Sequence, residues 1–419
     1  MTERLRRHLS QPVDDAGLAL FRVGFGLLAA VAAVRFLAHG WVEALLAAPV
    51  FHFTWIPGMP VAPAPVLTAL LIVQVLSGLL IAVGWRVRAG LSVWLISFVY
   101  IDLIDKALYL NHHVLFVLLG VWLLILPVGH LPRWGLWLLR VQVASVYTWA
   151  GVAKLNADWL LRGEPLATWL SARSETPLVG PLLALPQSAL AMSWGGMIYD
   201  LAVPFLLLHP RTRRLGMVMV VGFHAVVGLL FPIGIFPWLM VLSATLLLSP
   251  DWPRRWLSLP PMVRLGRPLS RPGAAMLAAL LAAIVLFPGR FLLWGADVSW
   301  TERGYRLAWR VMLNEKTGLV DYRVVEAQTG RTWRVMPAEA LTPLQHKQMR
   351  TQPDMIRDYA RHLQRVHAGE GRTVAVYADA WASLNGRPSQ QLLRADLDLT
   401  APRAELEAAA WILPLSPLP

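Results

Sequence analysis

The stretch "APVLTALLIVQVLSGLLIAVGWRVRAGLSVWLISFVYIDLID", Ala64 to Asp105, decides the fold. It holds two apolar runs of about 20 residues, the length of a helix that crosses a bilayer. Arg86 and Arg88 mark the turn between them. Charge gathered at the turn and withheld from the runs is the pattern of two helices that cross a membrane and return.

The same test applied outward predicts about nine spans, at 17–37, 64–83, 89–107, 111–127, 136–154, 191–209, 214–231, 233–249 and 273–294. Basic residues fall on alternate loops: Arg4, Arg6 and Arg7; Arg86 and Arg88; Arg133; Arg211, Arg213 and Arg214; and Arg254, Arg255, Arg264, Arg267 and Arg271. The positive-inside rule therefore places the N-terminus in the cytoplasm and everything after the last span on the opposite face. No small-residue cleavage site precedes the first span, which is read as retained.

Composition agrees. Hydrophobic residues make up 56% of the 419 and charged residues 15%, where a soluble domain carries about 25% charged; mean hydropathy is +0.52. The 38 Lys and Arg outnumber 25 Asp and Glu, but in short tracts between apolar runs instead of one basic face, which argues for a lipid bilayer and against nucleic acid. With no cysteine, disulfides, thiolate nucleophiles and cysteine-bound metals are excluded.

From about 296 the composition is that of a soluble domain. "DYRVVEAQTGRTWRV" (321–335) alternates apolar and polar residues around a Gln-Thr-Gly turn, a hairpin signal, and "RTVAVYADAWASL" (372–384) reads as a further strand. Between them, "TPLQHKQMRTQPDMIRDYARHLQRVHAG" opens with a candidate N-cap, Thr342, ends in Gly, and carries Met355, Ile356, Tyr359 and Leu363 at helical spacing. The expected architecture is an all-α membrane bundle over 1–295 followed by a mixed, β-rich α+β domain over 296–419.

Ionisable groups inside spans are costly and usually functional. One cluster, "DLIDKALYLNHHVLF", holds Asp102, Asp105, Lys106, Asn111, His112 and His113; the other is Lys154, Asn156 and Asp158 in "YTWAGVAKLNADWL". Both fall at the non-cytoplasmic ends of their spans, so a single polar site is the economical expectation. Lys154 has a plain alternative, snorkelling to the head groups. Its functional reading is a base: an amine removed from water gives up its proton more readily and can then accept one near neutral pH. In that reading His112 hydrogen-bonds a developing oxyanion and Asn111 orients it. The two histidines do not suggest a metal, because neighbouring imidazoles on a helix point about 100° apart and no third ligand has suitable spacing.

Several stretches together resemble the vitamin K-dependent gamma-glutamyl carboxylases and their bacterial relatives. "FHFTWIPGMPV", "DKALYLNHHVLF" and "VYTWAGVAKLNADWLLRGEPL" are similar to the membrane part of that family, and "YRLAWRVMLNEKTG", "QPDMIRDYARHL" and "VYADAWASLNGRPSQQLL" to its soluble part. The resemblance implies that a lysine in Gly-Val-x-Lys-Leu, here Lys154, deprotonates reduced vitamin K. The quinol then reacts with O2 and becomes an epoxide through a strongly basic alkoxide, which takes a γ proton from glutamate so that CO2 adds to the carbanion. It also implies an assisting Asn-His pair, here Asn111 and His112, and contacts to quinone or glutamate from Tyr305, Trp309 and Met312. The partner is a glutamate-containing protein or peptide. The Arg, Ala and Leu bias points to a bacterial inner-membrane protein, with menaquinol as the alternative quinol.

Animal members have two lysines where this chain has Ala153 and Lys154, and a serine where His113 stands. Two further readings remain open: a quinol epoxidase or monooxygenase without carboxylation, and a transporter or lipid-binding protein, for which "FPIGIFPW" (231–238) would be a broken helix.

Overall fold

The computed structural model describes residues 2–127, 129–257, 269–295 and 297–417. Arg264 and Arg267, two of the arginines that orient the last span, lie outside the described residues. All nine predicted segments are helical: α1 Ala16–Ala38, α2 Ala64–Val83, α3 Val87–Ile104, α4 Asn111–Ile125, α5 Arg133–Ala153, α6 Pro186–Leu208, α7 Arg213–Leu230, α8 Phe236–Ala244 and α9 Arg271–Leu286.

Six of them, α1, α2, α3, α6, α7 and α9 with its 3-10 continuation to Trp294, are long and apolar enough to cross a membrane. Nine spans are therefore not confirmed. The short helices α4 and α8 fall below a span's length, and α5 carries Arg133, Arg140 and Gln142 among its apolar residues. Membrane character shows on the outer surface, where Val218, Leu229 and Leu286 are 69%, 85% and 69% exposed. In water such a surface would associate or aggregate; in lipid it is the expected outside.

The bundle is held by close backbone approach as well as by side-chain packing. A Cβ on Gly26 of α1 would stand 2.4 Å from the Gly78 carbonyl oxygen of α2, and one on Gly78 would stand 2.6 Å from that of Gly26. Only glycine at both positions lets these helices touch, the small-residue packing expected where lipid offers no hydrophobic drive. Arg22 caps the contact by donating to the carbonyls of Ile81 and Ala82 at the end of α2. Behind it, Phe25, Trp94, Phe98 and Phe116 pack edge-to-face or stacked in the core.

The C-terminal region holds a four-stranded antiparallel sheet. Strand β1 (Lys316–Glu326) pairs with β2 (Thr332–Val335) in the expected hairpin, Tyr322 opposite Val335, and along its whole length with β3 (Val374–Leu384), Tyr322 opposite Ala378. A short β4 (Gln390–Gln391) completes the order β2-β1-β3-β4. The single helical stretch expected between the hairpin and β3 is two helices, α10 (Pro343–Met349) and α11 (Pro353–Gly369). Pro353 causes the break, since proline disfavours helical backbone in the residue before it. Thr342 caps α10 in a full capping box with Gln345. Met355, Ile356, Tyr359 and Leu363 turn inward from α11 onto the sheet.

Ion pairs tie this region to the helices. Lys106 Nζ lies 2.6 Å from Asp358 of α11. Asp105 accepts from Gln345 Nε2 at 2.7 Å, and burial pushes its carboxyl above the ordinary range. Asp158, in the short helix Ala157–Arg162, takes both Arg387 Nη atoms and Asn385 Nδ2. Burial alone would raise the Asp158 pKa, but the bonds from Arg387, Asn385 and Arg162 outweigh it and hold the carboxyl below its usual value.

Candidate functional site

Lys154 ends α5 as its C-terminal cap, its N–H bonded to the carbonyls of Gly151 and Val152. Asn156 then caps the following short helix, accepting from Trp159 N at 3.0 Å and donating to the Ala153 carbonyl at 2.9 Å. This double turn aims the lysine side chain inward, leaving it 6% exposed. Lys154 does not snorkel. Its Nζ lies 2.7 Å from Asp200 Oδ2 on α6 and 3.3 Å from the Ala150 carbonyl, and 5.1 Å from the centroid of the Trp159 ring.

Gly151 makes the pairing possible. A Cβ there would meet Leu201 Cδ2 at 2.6 Å and Leu201 N at 3.1 Å, so the absent side chain lets α5 and α6 approach until Asp200 is within reach of Lys154.

The pair opens onto a cavity whose empty space, open solvent at its mouth included, is about 710 Å³. Its walls are mainly apolar, including Val146, Leu166, Met192, Val227 and Met240, and Val311 and Met312 from the region after the last span close one side. His224 of α7 also faces in. It is 2% exposed, packed against Phe223 and Phe236, and among the described residues neither ring nitrogen has a hydrogen-bond partner. A buried imidazole must hydrogen-bond or lose several kcal/mol relative to water, so an orphaned one beside a cavity fits a ligand that supplies the missing partner.

The structure does not gather the two sequence clusters into one site. His112 is not among the residues that line the cavity; its ring packs 5.7 Å from Phe236, which does line it and also lies 5.7 Å from His224. Asn111 does not orient His112 through a hydrogen bond. It accepts from Tyr109 Oη at 2.8 Å and donates to the Arg310 carbonyl at 3.2 Å. His113 pairs with Asp102 at 2.9 Å, while Asp105 accepts from Gln345 and Lys106 pairs with Asp358 as described above. The first cluster thus mainly anchors the C-terminal region, because its side chains fall at the seam between the two parts.

Of the residues expected after the last span, Met312 lines the cavity. Trp309 is buried in the membrane core, 3% exposed. Tyr305 donates to the Arg310 carbonyl at 3.2 Å, the same oxygen that Asn111 reaches, and burial raises the tyrosine's pKa. Tyr109, whose hydroxyl accepts from Leu307 N at 2.7 Å, is pushed up to about 12 by burial. Leu307, Trp309 and Met312 all have left-handed backbone, with φ of 63°, 54° and 56°. Three such non-glycine residues in one short segment are strained, and strain of this kind is kept where the surroundings impose it, often at functional sites.

Asp200 and His224 were missed in the sequence, although each is an ionisable residue inside an apolar run and the cost of burial there marks it. Among the described residues no three His, Asp or Glu side chains gather as a metal site.

No solved structure matches the chain. Residues 270–417 match the family model described as vitamin K-dependent gamma-carboxylase, lumenal domain, and residues 10–131 and 128–252 match the HTTM domain. These two matches follow one another along almost the whole chain, the second starting with the last candidate span, α9, and running through the sheet region, and the chain belongs to the vitamin K-dependent gamma-carboxylase family.

Proposed function

We propose that this membrane protein is a quinol-dependent gamma-glutamyl carboxylase, coupling oxygenation of reduced vitamin K or menaquinol to the addition of CO2 to glutamyl side chains. The observation that carries the reading is the buried Lys154–Asp200 pair on the wall of an apolar cavity. Bound quinol and O2 would supply the strong base that a glutamyl γ-carbon requires.

The chain's own residues have definite tasks. Lys154, once its ammonium has given up a proton, accepts the quinol proton on Nζ, and the ammonium so restored has its counterion, Asp200, 2.7 Å away. The Trp159 face adds a cation–π contact. His224 offers a ring nitrogen to a quinol oxygen. The apolar walls exclude water, which protects a strong base from being quenched before it meets glutamate. Met312 closes the cavity on the side of the soluble domain, 296–419, from which the glutamyl chain enters; Tyr305 and Trp309 support that segment. His112 acts through its ring contact with Phe236, and Asn111 holds the same segment through the Arg310 carbonyl. The soluble domain lies on the non-cytoplasmic face and the N-terminus in the cytoplasm.

The test uses the purified full chain with reduced vitamin K, a short glutamyl peptide and labelled bicarbonate. Epoxide together with labelled peptide is the expected result. Epoxide without label leaves a quinol oxygenase; neither product, with menaquinol and vitamin K alike, overturns the reading, and quinone flux in vesicles would then favour a transporter.

A further inference from the structure

A second hollow lies between the end of α6 and the segment after α8, on the side of the bundle away from the sheet. Its walls are Pro210, Arg211, Arg213, Arg214 and Arg255. A fifth guanidinium, that of Arg140, lies close enough to feel Arg213.

Positive-inside topology explains arginines in this loop, but it does not explain their convergence on one concavity. Like charges a few ångströms apart repel unless water or an anion intervenes. Neighbouring Arg254 is matched by Asp14 at 2.6 Å. Among the described residues Arg211, Arg213, Arg214 and Arg255 have no such partner. Asp251 feels Arg213 and Arg255, yet its side chain accepts from Ser249 Oγ. The Nε of Arg213 is buried without a hydrogen-bond partner among the described residues.

The helix beginning at the hollow adds to the attraction. The 18-residue α7 starts at Arg213, and its cap residue Thr212 offers no side-chain bond to it, spending its hydroxyl on the Leu206 carbonyl at 2.8 Å. The amides of the first turn and the positive end of the helix dipole therefore face the same space.

We propose that this hollow binds a phosphate group, carried by an anionic phospholipid head group or free in solution, with the four arginines as its counter-charges. Its place at the ends of two membrane helices, level with the head groups, favours the lipid. The site stands apart from the quinol cavity and does not depend on the reaction proposed above.

The full chain in detergent is titrated with phosphatidylglycerol, phosphatidylcholine or inorganic phosphate, reading the melting temperature, and with native mass spectrometry counting retained lipid. Phosphatidylglycerol should raise the melting temperature and be retained, while phosphatidylcholine should not. In R213Q/R255Q the apparent affinity should fall about 30-fold, at roughly fivefold for each arginine. R4Q/R7Q, which removes the same charge from the short helix Glu3–Ser10, should bind as the unaltered protein does. A full shift from inorganic phosphate identifies free phosphate as the ligand; a shift only from phosphatidylglycerol identifies the lipid. Equal lipid shifts in R213Q/R255Q and the unaltered protein, or an equal loss in R4Q/R7Q, overturn the proposal. Should the double variant not fold, R211Q at the exposed rim must weaken binding by itself.

Discussion

Lys154 Nζ and Asp200 Oδ2 lie 2.7 Å apart with side chains only 7% and 8% exposed, so the lysine at the end of one helix is neutralised from the interior of the next. Removing one partner leaves a buried uncompensated charge, which costs about 3 to 5 kcal/mol. Lys154→Ala should therefore lower thermal stability in detergent, and Lys154→Ala/Asp200→Asn should recover part of the loss. Both should cut epoxide formation by about 100-fold or more, the usual worth of a general base. Undiminished epoxide formation by either variant would remove Lys154 from the chemistry.

Asp200→Asn separates base from counterion. The lysine remains, but the ammonium formed on proton uptake loses its fixed anion. Turnover should fall less than in Lys154→Ala, and the pH at which activity rises should move, whereas a purely structural aspartate would alter stability without moving the pH profile. The pH–rate curve of the variant decides between them.

His224→Phe tests the orphaned imidazole. Its two ring nitrogens have no partners to lose, so replacing it by an apolar ring should leave stability unchanged or raised. If a quinol oxygen is the missing partner, the KM for quinol should rise about two- to tenfold, the worth of one hydrogen bond. A destabilised protein with unchanged KM would assign the histidine to packing.

Much of this architecture is legible in the sequence because its signals are local. The apolar run of α2, the Gln-Thr-Gly turn between β1 and β2 and the Thr342 cap each announce themselves within a few residues. The site is less legible because it depends on distance in sequence. Lys154 stands out at the end of its run, but Asp200 becomes its partner only through the gap at Gly151, and spacing cannot reveal that. His112 stands out beside His113 in a polar cluster, whereas His224 lies alone inside an apolar run, and only the fold brings His224 to the cavity wall. Membrane crossing is the same kind of problem: α5 is helical as expected, yet a helix packed among others tolerates Arg140, whose guanidinium bonds to the carbonyls of Leu246 and Leu248.

Asp158 gives a pH prediction whose sign follows from its environment. Burial raises its carboxyl, but Arg387, Asn385 and Arg162 outweigh burial and hold it below the ordinary aspartate value of 3.8. A depressed pKa contributes stability above the unfolded value that is lost as pH falls through the folded one. The latch between the short helix Ala157–Arg162 and Arg387 should thus be constant from neutral pH down to about 4 and weaken only below 3.8. Asp158→Asn should weaken it at every pH, by about 1.5 to 3 kcal/mol for lost charged hydrogen bonds. Protease sensitivity of the seam, measured against pH, reads both effects; a transition near pH 6 would place the latch elsewhere.

Gly151→Val tests whether the approach of α5 to α6 sets the site. The added side chain begins with a Cβ 2.6 Å from Leu201 Cδ2 and 3.1 Å from Leu201 N. The first contact can yield by rotation of the leucine, but the second is backbone, so the helices must part. Overpacking of this kind costs about 1 to 3 kcal/mol. Lys154 and Asp200 both remain, yet their bond should lengthen, and a displacement of about 1 Å can cost roughly 100-fold in rate. Epoxide formation should fall far more than melting temperature, while Gly195→Ala, at a position where a Cβ would meet nothing within 4 Å, should leave both unchanged. Equal activity in Gly151→Val and the unaltered protein would mean that the Lys154–Asp200 distance does not govern turnover.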